Sequence, residues 1–361
     1  MVFEEIREEV SSEMELANQY YKTERLDMSV GEILNLYKEG EIIIDPEFQR
    51  LFRWESYQKT RLIESILVGI PIPPIFVVEN DDGIWELIDG LQRLSTMFSF
   101  MGKLKDKKYN NWELEEGDIL KKIKGFSYEE LPTKAQIKIK RYICRVEIIN
   151  DKNDYNIRYD LFERLNTGGS KLTDQEIRNV IYRSDSTNFN EFLREEGTNN
   201  LFLDLINISE KKEKQLFADE LVLRFCSLYD ERKITKVLSK YMDECMKNFV
   251  EETKDDLSKI NKFKYIFEGV LNLLEPLMDK HIFFSANGKG GFSTSVYDGI
   301  MYGLAKNIDK YVGKNPDLIF EKIEELKNNA QFKENSGSQS HNPRRVKARK
   351  EISHQIFGNV S

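Results

Sequence analysis

At 361 residues, with 40% apolar content and a formal charge of −8, the chain is long enough for two cored domains. It is also too acidic to coat nucleic acid indiscriminately. Cys144, Cys226 and Cys245 form no CxxC pair, the acidic start is unlike a signal peptide, and no apolar run approaches ~18–20 residues, so a cytoplasmic chain without disulfides or membrane contact is expected.

Residues 1–24 read as an acidic N-terminal arm or helix. Ser29-Val30-Gly31-Glu32 spells a capping box, and Ile33, Leu34 and Tyr37 give the helix behind it an apolar face before Gly40. Glu41 to Ile44 reads as a strand leading into Asp45-Pro46-Glu47-Phe48-Gln49-Arg50-Leu51-Phe52-Arg53-Trp54. Gln49 and Arg50 among three aromatics suit stacking and hydrogen bonding to a base or sugar. The same segment suits a loop that buries its aromatics and solvates its arginines.

Gln58 to Val68 carries a helical apolar face, stopped by Gly69 and by Pro71, Pro73 and Pro74. Ile75–Glu79 and Ile84–Ile88 flank Asp81-Asp82-Gly83 as a β-hairpin. Asp89-Gly90 then breaks the strand, and Leu91, Leu94, Met97, Phe98 and Met101 fall on one helix face. Asp89, Gln92 and Arg93 therefore sit at a strand-to-helix corner. Free backbone N–H groups, a bare glycine and a fixed cation make that corner a candidate anion site.

The lysines between Lys103 and Lys140 are interspersed with Glu113, Glu115 and Glu116 and read as a solvated face. Arg141 to Ile149 reads as a strand. Ile157, Leu161, Phe162 and Leu165 mark a helix closed by Asn166-Thr167-Gly168-Gly169. That corner is either a joint or a donor set for phosphate or ribose. Thr173-Asp174-Gln175-Glu176 is a second capping box.

Beyond residue 188 the pattern is mostly helical, with buried faces at Phe217 to Leu228 and Leu271 to Met278. Lys289 lies in a Gly-rich loop that lacks the G-K-[ST] of a Walker motif. His281, His341 and His354 are the only histidines and are too scattered for an acyl-transfer triad or a clustered metal site. Residues 335–342 read as a polar linker. Asn342-Pro343 starts a helix crowded with Arg344, Arg345, Lys347, Arg349 and Lys350. It is either a solvated basic face or a phosphate-backbone contact with DNA or RNA.

Three blocks occur in order: F-Q-R-x-F-x-W (Phe48 to Trp54), I-D-G-x-Q-R (Ile88 to Arg93) and F-x-R-L-N-T-G-G (Phe162 to Gly169). Together they resemble the N-terminal domain of GmrSD-type restriction enzymes, of the ParB/sulfiredoxin-like group. The resemblance implies an α+β fold: a nucleotide-binding domain over residues 25–187, then a helical domain over 188–334 and a basic tail over 335–361. It implies an NTP-hydrolysing component of bacterial anti-phage defence; such relatives often carry a C-terminal His-Asn-His nuclease, which the three scattered histidines of this chain do not lead one to expect.

Carried over by position, the catalytic residues would be Asp89, Gln92 and Arg93. Arg93 would clamp phosphate, Asp89 would position Mg²⁺ or water, and Gln92 would orient phosphate or the attacking water. Gln49, Arg50, Gly90, Asn166, Thr167 and Gly168 would complete the nucleotide site. Leu91 departs from the family's D-G-Q-Q-R motif, which has Gln there. The expected partners are a nucleotide, DNA, a separate nuclease or effector subunit, and a second copy of the chain. The competing reading is a non-catalytic module whose corner grips a nucleic acid or a partner, and a further one is a nuclease using that corner.

Overall fold

The computed structural model describes residues 2–20, 23–44, 54–80, 82–149, 164, 173–182, 187–208, 216–285, 291–337 and 339–360. The chain divides into two units, Met1–Lys171 and Leu172–Ser361. The sequence put this boundary after residue 187. The helix behind the second capping box belongs instead to the second unit, because its Arg178 reaches Asp243 there at 2.7 Å.

The first unit is α+β. Its elements in order are α1 (Val2–Tyr20), β1 (Thr23–Ser29), α2 (Val30–Glu39), β2 (Ile42–Ile43), α3 (Ser56–Val68), β3 (Ile75–Glu79), β4 (Trp85–Asp89), α4 (Leu91–Phe100), α5 (Thr133–Lys140) and β5 (Ile143–Ile149). Five strands form one mixed sheet in the order β1-β5-β3-β4-β2. The β1/β5 and β3/β4 pairs are antiparallel, and the β5/β3 and β4/β2 pairs are parallel.

Local sequence explains most of these elements. Ser29 Oγ accepts from the Glu32 N–H at 3.2 Å while Glu32 accepts from the Ser29 N–H at 2.6 Å, so the capping box that starts α2 is closed both ways. Gly40 at φ +84 and Gly69 at φ +90 end α2 and α3 in the left-handed conformation that glycine tolerates. Strand β1 was not anticipated. Only Leu26 and Met28 alternate with polar residues in T-E-R-L-D-M-S, and it is a strand because β5 pairs with it along its whole length, from Thr23 opposite Ile149 to Ser29 opposite Ile143.

The core lies between sheet and helices. Ile75, Val77 and Val146 from the strands meet Val30, Ile33, Ile63, Ile66, Leu94, Met97 and Phe98, all buried. Glu64 is a buried carboxylate within this shell. It accepts the N–H groups of Asp118, Ile119 and Leu120 at 3.1, 2.7 and 2.5 Å, which pins that loop to α3.

The described part of the second unit is helical: α6 (Asp174–Ile181), α7 (Thr187–Gly197), α8 (Asn200–Ile206), α9 (Phe217–Tyr229), α10 (Leu238–Glu252), α11 (Ser258–Leu274), α12 (Thr294–Ala305), α13 (Pro316–Asn328), α14 (Ala330–Ser336) and α15 (Pro343–Gly358). The expected tail is no separate appendage, since α15 packs along α12 and against α13 and α14. No described helix is long and apolar enough to cross a membrane.

Candidate functional site

The strand-to-helix corner forms where the sequence placed it. β4 runs to Asp89, α4 begins at Leu91, and Gly90 turns between them at φ +106 and ψ 7. A side chain is excluded there twice over. The backbone is left-handed, and a Cβ would lie 2.4 Å from Ile75 Cδ1. The β3/β4 register shifts just before the corner, with Phe76 opposite Asp89 and Val77 opposite Leu87. Such a bulge re-aims the end of a strand.

Glycine also leaves the start of α4 without a side-chain cap. No side chain of the cap residue competes for the first-turn N–H groups at the positive end of the helix dipole, an arrangement that suits an anion. Arg93 lies one turn in and is mostly buried, its side chain 12% exposed. Its Nη2 donates to Asp89 Oδ2 at 2.6 Å and to the Pro74 carbonyl at 3.1 Å. Its Nε is buried without a hydrogen-bond partner. Asp89, at 41%, is the exposed member of the pair. The guanidinium is thus built into the corner and balances the carboxylate, where the sequence suggested a cation reaching out to a ligand. Beneath it, burial pushes the Cys144 thiol up to about 12, opposed by the Arg93 charge. That thiol is inert at neutral pH.

Gln92 does something the sequence did not reveal. Its Oε1 accepts the Trp54 N–H at 3.2 Å, which ties the end of the aromatic block to the corner. The first two blocks therefore meet in space. Gln49 and Arg50, like Asn166, Thr167 and Gly168, lie outside the described residues. Leu91, the departure from the family motif, packs partly buried against the core of the first unit.

Among the described residues Asp89 is the one carboxylate at the corner, and Arg93 already engages it. Among the same residues, no three His, Cys, Asp or Glu side chains come together to hold a metal ion. In the second unit, Asp279 and His281 line an open cleft with Asp204 and Asn207, again without a third convergent ligand among the described residues.

The basic tail divides. Arg344 and Lys347 are exposed on α15. Arg349, offered by the sequence for phosphate contact, is an internal group only 1% exposed. It donates to Asp298 at 3.2 Å and to the carbonyls of Asn335 and Ser340 at 2.8 and 2.7 Å. Its site is a buried cluster in which Asp298 also takes both Nε and Nη2 of Arg224. Arg349 therefore leaves the candidate nucleic-acid set, because its charge is already spent inside. Lys350 lies over the Tyr302 ring at 4.7 Å, and burial together with the nearby Lys306 charge brings its pKa down to about 8. The α15 helix is a packed element with a few outward cations.

Residues 30–183 match the family model described as the GmrSD restriction endonuclease, N-terminal domain. The match spans about two fifths of the chain and includes the whole corner. It bears out, over that span, the resemblance carried by the sequence blocks. Neither a curated protein nor a solved structure matches the chain.

Proposed function

We propose that the first unit binds a nucleoside triphosphate at the start of α4 and hydrolyses it as a component of a restriction-type defence system. The observation that carries this is the uncapped helix start beside the Asp89–Arg93 pair, inside the span that matches a restriction endonuclease domain. In this reading the first-turn N–H groups of α4 receive phosphate oxygens, and bare Gly90 lets them approach the backbone. Arg93 keeps the corner from presenting a net negative charge to an incoming anion. The exposed Asp89 carboxylate faces the ligand and accepts a proton from the attacking water. Mg²⁺ would enter with the triphosphate, whose oxygens supply the ligands that the described protein groups do not. Gln92 holds the Trp54 backbone beside the corner, and Trp54 is offered for base or sugar contact. Arg344 and Lys347, exposed on α15, remain available for a DNA backbone.

The packing of Leu91 favours a second reading, a domain that binds nucleotide and does not turn it over. The variant Leu91→Gln separates the two. If an amide at this position acts mainly in the transition state, phosphate release rises while nucleotide affinity changes little. If Leu91 is only core, the amide is left partly unpaired, which costs about 1–3 kcal/mol of stability and adds no turnover. Phosphate release and melting temperature, measured on wild type and variant with Mg²⁺ and each ribonucleoside triphosphate, give the answer. A wild type that neither binds nor hydrolyses any of them ends the first reading.

A further inference from the structure

Among the described residues β1 is the outermost strand of the sheet and pairs with β5 on one side only. An edge strand turns alternate N–H and C=O groups outward, where another strand can take them up. Its charges have a particular order about Leu26, with Arg25 before it and Asp27 after it, two residues apart and so on one face of the sheet. Within the chain, Arg25 Nε donates to Glu147 at 3.0 Å and Arg145 Nε donates to Asp27 at 3.3 Å. Two charge rows, Glu147–Arg25 and Arg145–Asp27, therefore run across the sheet and stop at its open edge. The Arg25 and Asp27 side chains are 70% and 59% exposed.

We propose that β1 is a self-association edge, pairing antiparallel with a second copy of the chain about a two-fold axis through Leu26. Arg25 then lies opposite Asp27 of the partner subunit, and Asp27 opposite the partner subunit's Arg25. Each interrupted row becomes continuous and alternating: Glu147, Arg25, the partner's Asp27, the partner's Arg145. Leu26 sits on the other face, in register with the buried Val146, and is left 43% exposed. The two-fold sets it against the partner's Leu26 and covers it.

The charges also select the register. Pairing about Arg25 sets arginine against arginine, pairing about Asp27 sets aspartate against aspartate, and like charges directly opposite are destabilising. A slip of one residue turns the partner's core-side residues to the other face of the joint sheet, so that the two Leu26 side chains no longer meet. Centres nearer either end shorten the ladder. Edge charges ordinarily discourage pairing, but this order discourages every central register except one.

The element just before β1 adds apolar area. On α1, Phe3, Ile6, Val10 and Met14 are exposed at the spacing of one helix face. Both α1 and β1 precede the segment that matches the restriction-domain family, so the edge is a feature of this chain outside the nucleotide corner.

The test is the mass of the full-length protein by light scattering at micromolar concentration. Wild type should be a dimer. Arg25→Asp and Asp27→Arg, each alone, place like charges across the seam and should weaken the dimer at least about tenfold. Mixed one to one, the two variants set aspartates against arginines in both rows and should recover the dimer. A monomeric wild type, a single variant that dimerises as well as wild type, or a mixture that stays monomeric overturns the proposal.

Discussion

Gly90→Ala is expected to destabilise the first unit by about 2–4 kcal/mol and to abolish nucleotide binding. Two costs add at this residue. The backbone conformation, φ +106, is one that residues with a Cβ adopt only with strain of about 1–3 kcal/mol. The new methyl would also sit 2.4 Å from Ile75 Cδ1, in a packed core where an extra carbon costs about 1–3 kcal/mol more. Relief of the backbone strain means moving Asp89 relative to the first turn of α4, which breaks the 2.6 Å pair with Arg93. Chemical denaturation of wild type and variant checks the stability, and nucleotide titration of the folded variant checks the site. A variant that melts within about 0.5 kcal/mol of wild type, the range of an ordinary surface substitution, would mean that the corner has no need of glycine.

The larger loss belongs to the second unit. Asp298→Asn should cost about 3–5 kcal/mol, the range found when one partner of a buried ion pair is removed. The Asp298 side chain is 4% exposed and faces two arginine side chains buried still more deeply, Arg224 at 3% and Arg349 at 2%. Arg224 Nη2 reaches Oδ2 at 3.0 Å, and Arg349 Nη2 reaches the same oxygen at 3.2 Å. An amide of the same shape keeps the packing and removes the charge, which strands two cations in a nearly dry interior. Because Arg349 comes from α15 and Asp298 from α12, the variant should loosen the C-terminal helix. Urea denaturation with a protease-sensitivity assay on α15 checks it, and a loss below about 1 kcal/mol would show that these arginines are adequately solvated without Asp298.

The corner was legible in the sequence because each of its parts has a local signature. Asp-Gly marks a break, Leu91 to Met101 shows helical spacing, and a Gly that must stay bare is informative on its own. Both capping boxes were legible for the same reason, since Ser29 with Glu32 and Thr173 with Glu176 bond across only three residues. What the sequence hid is what depends on distant partners. β1 exists because of β5, more than a hundred residues later. Arg93 was read as a ligand clamp because nothing nearby in the chain announces the Pro74 carbonyl that holds it. Arg349 was grouped with its basic neighbours, although charges set inside apolar runs (Arg224 in L-V-L-R-F-C, Asp298 in S-V-Y-D-G-I-M) were the signal that buried partners were needed. The contacts divide the chain at residue 171, ahead of the boundary read at 187, for a related reason. The α6 helix follows the first unit in the chain, but its buried Arg178 is matched by Asp243 of α10.

The account rests on triphosphate binding at the start of α4, and calorimetric titration of wild type and Arg93→Ala tests it most directly. The guanidinium balances Asp89 beside the phosphate position, and without it the bare carboxylate would repel the phosphates, a like-charge effect of about 1–4 kcal/mol at a separation of about 4 Å. Removing it should lower affinity for the Mg²⁺-triphosphate by about tenfold or more in protein that circular dichroism shows to be folded. Equal affinity in the two proteins would contradict the account and move any nucleotide site away from this corner.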